Sequence, residues 1–597
     1  MPTGTGRFRA FRARMGDRAA LWRVRRAPTA GGFVQPPEPL LSGSFAQGRQ
    51  LVAGSFALAG QRIEAPDPWA APAPSVTFGD ELHGFGWLDH LGAVGDRPAR
   101  LAAQALVDGW IARHGAGPQG WRADLCGRRV LRWVDQGIML GAGRDDAAMV
   151  PFFASLGRQM AFLARRWQAA PPGPARIEAV AGWVIGALML RGMADHLTPA
   201  QRALAEVCAT EIDADGGIPS RNPQALATIL HLLVRLAQAH TAVDRRPPPV
   251  LTQTTARIAE VLRKLRHVDG GLARFHGGGR GAEGPLERAL AEAGALHRPR
   301  AKNRRRHRLA RAWDAGLHMG YARLATGRVS VIVDAAPPPS GADARHAHAS
   351  TLAFELTSNR RPVIVSSGPG GSFGAEWQKA GRATLSHSTL SIDGWSSARF
   401  SGLDRSATAP LTDGPRQVEL HRTDERHASA LLLSHDGYLA THGLTHVRSL
   451  DLSADGRALM GEDRLVVLDP AHRPRFERMQ TASPGGIRFA LRFHLHPDAD
   501  ASLDMSGAAV SIALPSGEIW VLRFDGPGTL SLEPSVWLEP GRPAPRASRQ
   551  AVIRAQMASE SAQINWTLAK AQDTPLAIRD IGRDDPLHLP EPLVSDD

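Results

Sequence analysis

Two stretches concentrate side chains able to do chemistry: HAHASTLAFEL at 346–356 and LSHSTLSIDG at 385–394. His346 and His348 stand one residue apart, and His387 recurs before a matching Ser-Thr-Leu. Histidine exchanges its proton near neutral pH and is also the commonest metal ligand, so this spacing admits acid–base catalysis, metal binding or polar ends to two strands. On a regular strand His346 and His348 would share a face with Leu352, Phe354 and Leu356 and enter a core. A strand-entry loop would instead aim the pair at a cleft, with His387 beside it. The recurrence of His before Ser-Thr-Leu at two strand starts argues against mere polar decoration of strand ends.

Other candidates carry less. FHGGGRG at 275–281 lacks the Lys-Ser/Thr and the preceding strand of a phosphate loop, and reads as a flexible glycine loop. RFHLHP at 492–497 again spaces two histidines by two and reads as a core-facing edge. Asp124, Arg128 and Arg129, near Trp121, read from their types as the charges of a solvated helix face. Cys126 and Cys208 are the two cysteines. Neither forms a CxxC pair, which argues against a disulfide framework and a thiolate metal site.

The elements that must position these groups come in two kinds. From about 80 to 310 apolar residues recur at helical spacing, as in RPARLAAQALVDGWIARHG, where Leu101, Leu106, Trp110 and Ile111 approach one stripe. Successive helices joined by short Gly/Pro/Asp loops build a bundle or a curved α/α array. Past 320 the period becomes two, in segments such as RVSVIVDA, STLAFELTS, HVRSLDLS and IRFALRFHLHP. About fourteen such strands without intervening helices predict an antiparallel sandwich. The expected division is a basic extension over 1–35, a helical domain over 36–310 and a sandwich over 311–597. The arginine-rich stretch 297–311 would tether the two large domains.

Composition narrows the function. A length of 597 residues calls for two large domains, and 22% charged with 43% apolar residues describes an ordinary globular chain. The net charge of +13 could suit a polyanion, yet only four of the 71 basic residues are lysine, as a GC-rich genome would give. No helix-turn-helix, zinc-finger or RNA-binding signature accompanies the charge, so nucleic acid is not the expected partner, whereas an acidic polysaccharide suits it equally well. The basic N-terminus lacks the apolar core of a secretory signal, and no run of 18 apolar residues predicts a transmembrane segment.

Particular residues then make the order of domains recognisable. HGFGWLDHL at 83–91, WRADLCGRRVLRW at 121–133 and DGGIPSRNPQAL at 215–226, with HAHASTLAFEL, HSTLSIDG, HDGY at 435–438 and GEDRL at 461–465, resemble heparinase II/III-like proteins over roughly residues 80 to 590. The resemblance implies an α/α toroid (an incomplete helical barrel) followed by an antiparallel β-sandwich. It also implies a site in the cleft between them and a cell-envelope or periplasmic setting. The family includes lyases that cleave uronic-acid-containing chains by β-elimination. That reaction needs the uronate carboxylate neutralised, the C5 proton removed and the leaving oxygen protonated.

Carried over by position, the resemblance assigns the sandwich histidine to His346 and the zinc-ligand positions of some members to His348 and His387. The carboxylate that completes such a zinc site is replaced by Ser366 in PVIVSSGPGG, which implies at most a vestigial zinc. Trp121, Arg128 and Arg129 fall where members line the cleft and meet sugar carboxylates. The helical half departs from the lyases: ARIEAVAGW at 175–183 and NPQALA at 222–227 stand where they carry Asn-His and Tyr-His helix starts. Only two tyrosines exist; Tyr321 reads as structural, leaving Tyr438 as the acid–base partner of His346. Two functions are therefore expected in competition. One is a polysaccharide lyase acting on an acidic or envelope glycan; the other is a catalytically degenerate carbohydrate-binding or envelope-assembly protein on the same fold.

Overall fold

The computed structural model describes residues 4–35, 43–281, 284–296, 316–402, 404, 406–540, 542 and 544–573; the stretch 297–311 lies outside them. Two compact units form. One comprises Met1–Ile218, Ala225–Ala259 and Gly284–Arg298, the other Pro219–Gln224, Glu260–Glu283 and Pro299–Asp597. Short pieces of the helical sequence, FHGGGRG among them, thus belong to the sandwich unit.

In the helical unit, caps set the helix starts. Asp96 and Asp145 accept the N–H groups of Ala99 and Ala148, both at 2.8 Å, opening helices Arg97–His114 and Asp146–Arg166. The buried stripe of the first runs through Ala99, Ala103, Leu106, Val107 and Trp110, while Leu101, expected inside, is 51% exposed. Helices Ala123–Asp135 and Pro174–Met189 cross in backbone contact. A Cβ on Gly127 would lie 2.4 Å from the Ala179 Cα, and one on Gly182 would lie 2.3 Å from the Gly127 carbonyl oxygen. The glycine in WRADLCGRRVLRW is therefore a packing residue. One helical stretch, Asp146–Ala169, is long and apolar enough to cross a membrane by composition. Met149, Phe152, Leu156, Met160, Phe162 and Leu163 of this stretch are buried in the unit's core. The basic N-terminal segment forms helix Gly4–Arg23, tied by Arg166 Nε to Asp17 at 2.7 Å, with Phe11, Met15 and Trp22 exposed.

A hairpin of β1 (Ser55–Leu58) and β2 (Gln61–Glu64) completes the helical unit. The second unit holds two eight-stranded antiparallel sheets among its described residues. The first contains β3 (Tyr321–Thr326), β4 (Val329–Asp334), β5 (Phe354–Ser358), β6 (Arg361–Val365) and β7 (Leu390–Ile392). A small pair, β8 (Arg399–Phe400) and β9 (Leu411–Asp413), follows in the chain. The second sheet contains β10 (Val418–Asp424), β11 (Ala428–Tyr438), β12 (Leu444–Ser453) and β13 (Ala458–Val466). Then β14 (Ile487–Leu495) joins the first sheet, and β15 (Asp500–Asp504), β16 (Ala509–Ala513) and β17 (Ile519–Asp525) the second. β18 (Thr529–Trp537) and β19 (Arg546–Met557) close the first sheet, while β20 (Ser561–Gln572) enters the second between β13 and β17.

The alternation read from sequence decides which residues face inward. Ile487, Phe489, Leu491, Phe493 and Leu495 of β14 enter the core with Leu450, Leu459, Trp520, Ile553 and Trp566. Arg492 and His494 lie on the opposite phase, so Phe493 and Leu495 of RFHLHP face the core while His494 does not. His494 is nevertheless buried on that outer face, its ring nitrogens 2.8 Å from the Ser535 hydroxyl and 2.9 Å from the Leu385 carbonyl.

Candidate functional site

The chain HAHAST is a loop; β5 begins only at Phe354. A single turn over Asp343–Arg345 precedes it, and the two histidines diverge from there. His346 is exposed, while His348 is 1% and His387 0% exposed. His348 and His387 meet with ring centroids 5.2 Å apart.

A third imidazole, overlooked in the sequence, completes the cluster. His276 of FHGGGRG is fully buried, with its ring 6.0 Å from that of His348. Its Nδ1 accepts the His348 N–H at 3.1 Å, so the proton of the neutral ring sits on Nε2, 3.3 Å from Asp334. His348 Nε2 in turn accepts the Gly277 N–H at 2.9 Å, which puts its own proton on Nδ1. Gly279 donates to Gln224 Oε1 at 2.8 Å. The glycine loop, expected to be flexible, is pinned from both sides, and His276 is held in the left-handed region at φ 51°.

Asp334 anchors this arrangement. It pairs with Arg221 and accepts the Ser350 hydroxyl at 2.6 Å. Burial alone would raise its pKa, but the Arg221 charge and hydrogen bonds from His276 and Ser350 hold it well below the usual carboxylate range. Tyr321 donates its hydroxyl to the Arg221 carbonyl at 2.5 Å, the structural role expected of it. Burial lowers the pKa of all three imidazoles, that of His387 to about 3, so each is neutral at pH 7.

The donor set does not match a structural zinc. His348 Nε2 is engaged by Gly277, and the Ser366 hydroxyl brings no charge. No group of three His, Cys, Asp or Glu among the described residues is placed to hold an ion. His348 Nδ1, both His387 nitrogens and the Ser366 hydroxyl are buried without a hydrogen-bond partner among the described residues. Glu355, of the FEL sequence, accepts the N–H groups of Arg274 and Ser366 at 3.2 and 3.3 Å and so is a backbone anchor, not a ligand.

A second buried network lies beneath. His435, of HDGY, takes the Gly437 N–H on Nδ1 at 3.0 Å and faces His446 Nδ1 with its Nε2 at 3.2 Å. His446 Nε2 donates to Asp463 Oδ1 at 2.7 Å. Arg448 grips the same carboxylate through Nε and Nη2 at 2.8 and 3.1 Å, and the Trp566 indole donates at 2.8 Å. Four donors saturate Asp463. Burial would raise its pKa, but Arg448 and His446 hold it at about 2. Gly461, in the same GEDRL, leaves room for Trp566, whose ring a Cβ would meet at 2.1 Å. Arg448 Nη1 reaches out of this network to the carbonyls of Leu352 and Ser388, at 2.6 and 3.1 Å. It thereby fixes Leu352 at φ 63°, a strained conformation for a branched side chain, and ties both histidine loops to one point.

The remaining expected site residues sit elsewhere. Tyr438 is fully buried and donates its hydroxyl to the Leu390 carbonyl at 3.1 Å, with a pKa raised by burial, so it is no exposed acid–base group. Trp121 is buried and donates to the His114 carbonyl at 2.8 Å. Arg129 is 0% exposed. It holds Gln159 and the carbonyls of His83 and Gly120 at 2.9, 3.0 and 3.0 Å, 3.9 Å above the Trp110 ring. Trp121 and Arg129 are thus packing residues of the helical unit. Arg128 is paired with Glu178 and Glu81 at 2.9 and 3.1 Å. Of the expected residues, His346 is exposed and its ring makes no hydrogen bond to a described residue; surrounding protein and Arg382 lower its pKa, keeping it neutral.

The family model "Heparinase II/III-like, C-terminal" matches residues 308–567. FtsZ-localized protein C of Caulobacter vibrioides is 33% identical over 539 residues, 88% of each chain. Among solved structures, heparinase III aligns over 93% of this chain and 89% of its own, with TM-score 0.64 and 13% identity. The Streptomyces coelicolor A3 chondroitin AC lyase in complex with chondroitin sulphate aligns over 94% and 83%, with TM-score 0.51 and 15% identity. These two share the toroid-plus-sandwich fold.

Proposed function

Because this chain belongs to the heparinase II/III-like family, we propose that it is a catalytically silent member acting by binding, in assembly of the cell envelope at the division site. The observation that carries this reading is the state of its tyrosines. Both are buried to 1% exposure or less, and both hydroxyls are bonded to main-chain carbonyls. A tyrosine able to move protons in β-elimination must reach substrate. The name of the 33%-identical relative, FtsZ-localized protein C, supports the setting.

The test has two arms. Purified protein incubated with alginate, heparan, hyaluronan, glucuronan and native envelope glycans should give no unsaturated-uronate absorbance. A fluorescent fusion at native level should gather at midcell with FtsZ. Turnover of any uronate glycan, or a uniformly diffuse fusion, refutes the reading.

One observation favours the rival lyase: His346 is exposed, neutral and unpartnered, as a base for the C5 proton would be. If elimination survives, it turns on His346, and His346→Ala abolishes it. In the binding role the same substitution leaves glycan affinity unchanged.

A further inference from the structure

The outer face of the first sheet carries a groove of about 800 Å³, within the size range of small-molecule sites. On β14, Arg488 and Arg492 flank Ala490, and cross-strand register sets Ala490 opposite Arg554 of β19. The small alanine leaves the space that three guanidinium groups surround. Arg488 is paired with Asp393 at 2.7 Å and Arg554 with Glu533; both arginines are well exposed, at 69% and 49%. Arg492 differs. Half-buried between them, it has Nη1 enclosed without a hydrogen-bond acceptor and makes no ion pair among the described residues. Burial and the neighbouring Arg554 charge lower its pKa, Glu533 opposing them. An enclosed cationic donor without an acceptor costs stability, and an anionic ligand would supply what the protein does not.

We propose that this groove is a binding site for a carboxylate-bearing sugar unit, with Arg492 taking the carboxylate. Exposed Thr529 and Gln556, with Asp393, offer both donors and acceptors around the cation, the mix a hydroxyl-rich ring requires. Phe489 and Ala555 at its floor belong to the sandwich core, and Leu385 and Pro527 supply exposed apolar surface against which a sugar ring can rest. The site rests on the binding role proposed above but not on the absence of turnover.

Titration calorimetry on the full chain tests it, with a glucuronate-containing tetrasaccharide, its carboxyl-reduced counterpart and a hexaglutamate peptide. Loss of one charge-assisted contact should weaken binding about tenfold or more in Arg492→Gln, with Arg492→Lys intermediate. The carboxyl-reduced sugar should bind wild type no better than the acidic sugar binds Arg492→Gln. Ala490→Glu, which places a carboxylate beside Arg492, should block binding and raise the melting temperature; it serves as the second variant if Arg492→Gln fails to fold. Undiminished binding by both variants, or equal binding of the carboxyl-reduced sugar, overturns the site. Tighter Arg492-dependent binding of hexaglutamate overturns the sugar assignment. Turnover detected alongside intact Arg492-dependent binding removes the silent-enzyme reading and leaves the groove standing.

Discussion

Asp463→Asn is the most informative single change in the sandwich. It keeps the shape of the side chain and removes the charge that compensates Arg448, which is itself 0% exposed. The carboxylate receives two bonds from Arg448 at 2.8 and 3.1 Å and one each from His446 and Trp566. Removing one partner of such a buried pair typically costs about 3–5 kcal/mol, because the other charge stays behind unpaired. Arg448 also holds the Leu352 and Ser388 carbonyls, so the loss should spread to the loops carrying His346, His348 and His387. Urea unfolding followed by fluorescence of the sandwich tryptophans should show the sandwich transition shifted by that amount. Amide exchange should speed at 346–353 and 387–389 before it does elsewhere in the sandwich. Arg448→Met alone should cost a similar amount. The double variant should recover part of it, a coupling of about 2 kcal/mol or more if the pair is what holds the site. A cost below about 1 kcal/mol for Asp463→Asn, or additive single and double changes, would refute the assignment of this network as the anchor of the loops.

Gly127→Ala should destabilise the helical unit by about 1–3 kcal/mol through overpacking against helix Pro174–Met189, read as a lower melting transition; a neutral result would mean the helices can separate freely. Acid should destabilise the fold early. His387 and His494 are held near pKa values of about 3 and about 4 against 6.5 in the unfolded chain, so the unfolded state takes up protons that the folded state refuses as pH falls below 6.5. Each can contribute up to about 1.4 kcal/mol per pH unit, full stability being present above pH 6.5; a flat melting temperature from pH 7 to 5 would contradict this. Metal analysis should find well under one zinc per chain, and chelator should leave the melting temperature unchanged; near-stoichiometric zinc would overturn the reading of the His348–His387 pair. Tyr438→Phe should cost about 1 kcal/mol, the worth of one buried hydrogen bond, and should leave glycan binding unaltered.

Period 3.6 before residue 300 and period two after it determined the two kinds of domain, because burial of one face imposes those periods whatever the partner. The alternation also held the polar anchor of the sandwich in plain view. In HVRSLDLS, His446 and Arg448 share the phase of Leu450 and Leu452, and in GEDRL Asp463 shares the phase of Leu459 and Leu465. Only pairing of β12 with β13, which sets Arg448 directly opposite Asp463, turns these inward charges into one satisfied network. The histidine cluster needed still more. His276 and Arg221 lie far from His348 in sequence, in the half that reads as helical. No local pattern says that both converge on Asp334. Availability of a side chain was equally hidden: His346 and His348, or Arg128 and Arg129, are neighbours of one chemical type with different fates. Spacing determines which direction a side chain leaves the backbone, but whether it meets water, a carbonyl or a carboxylate is decided by what distant segments bring to that spot.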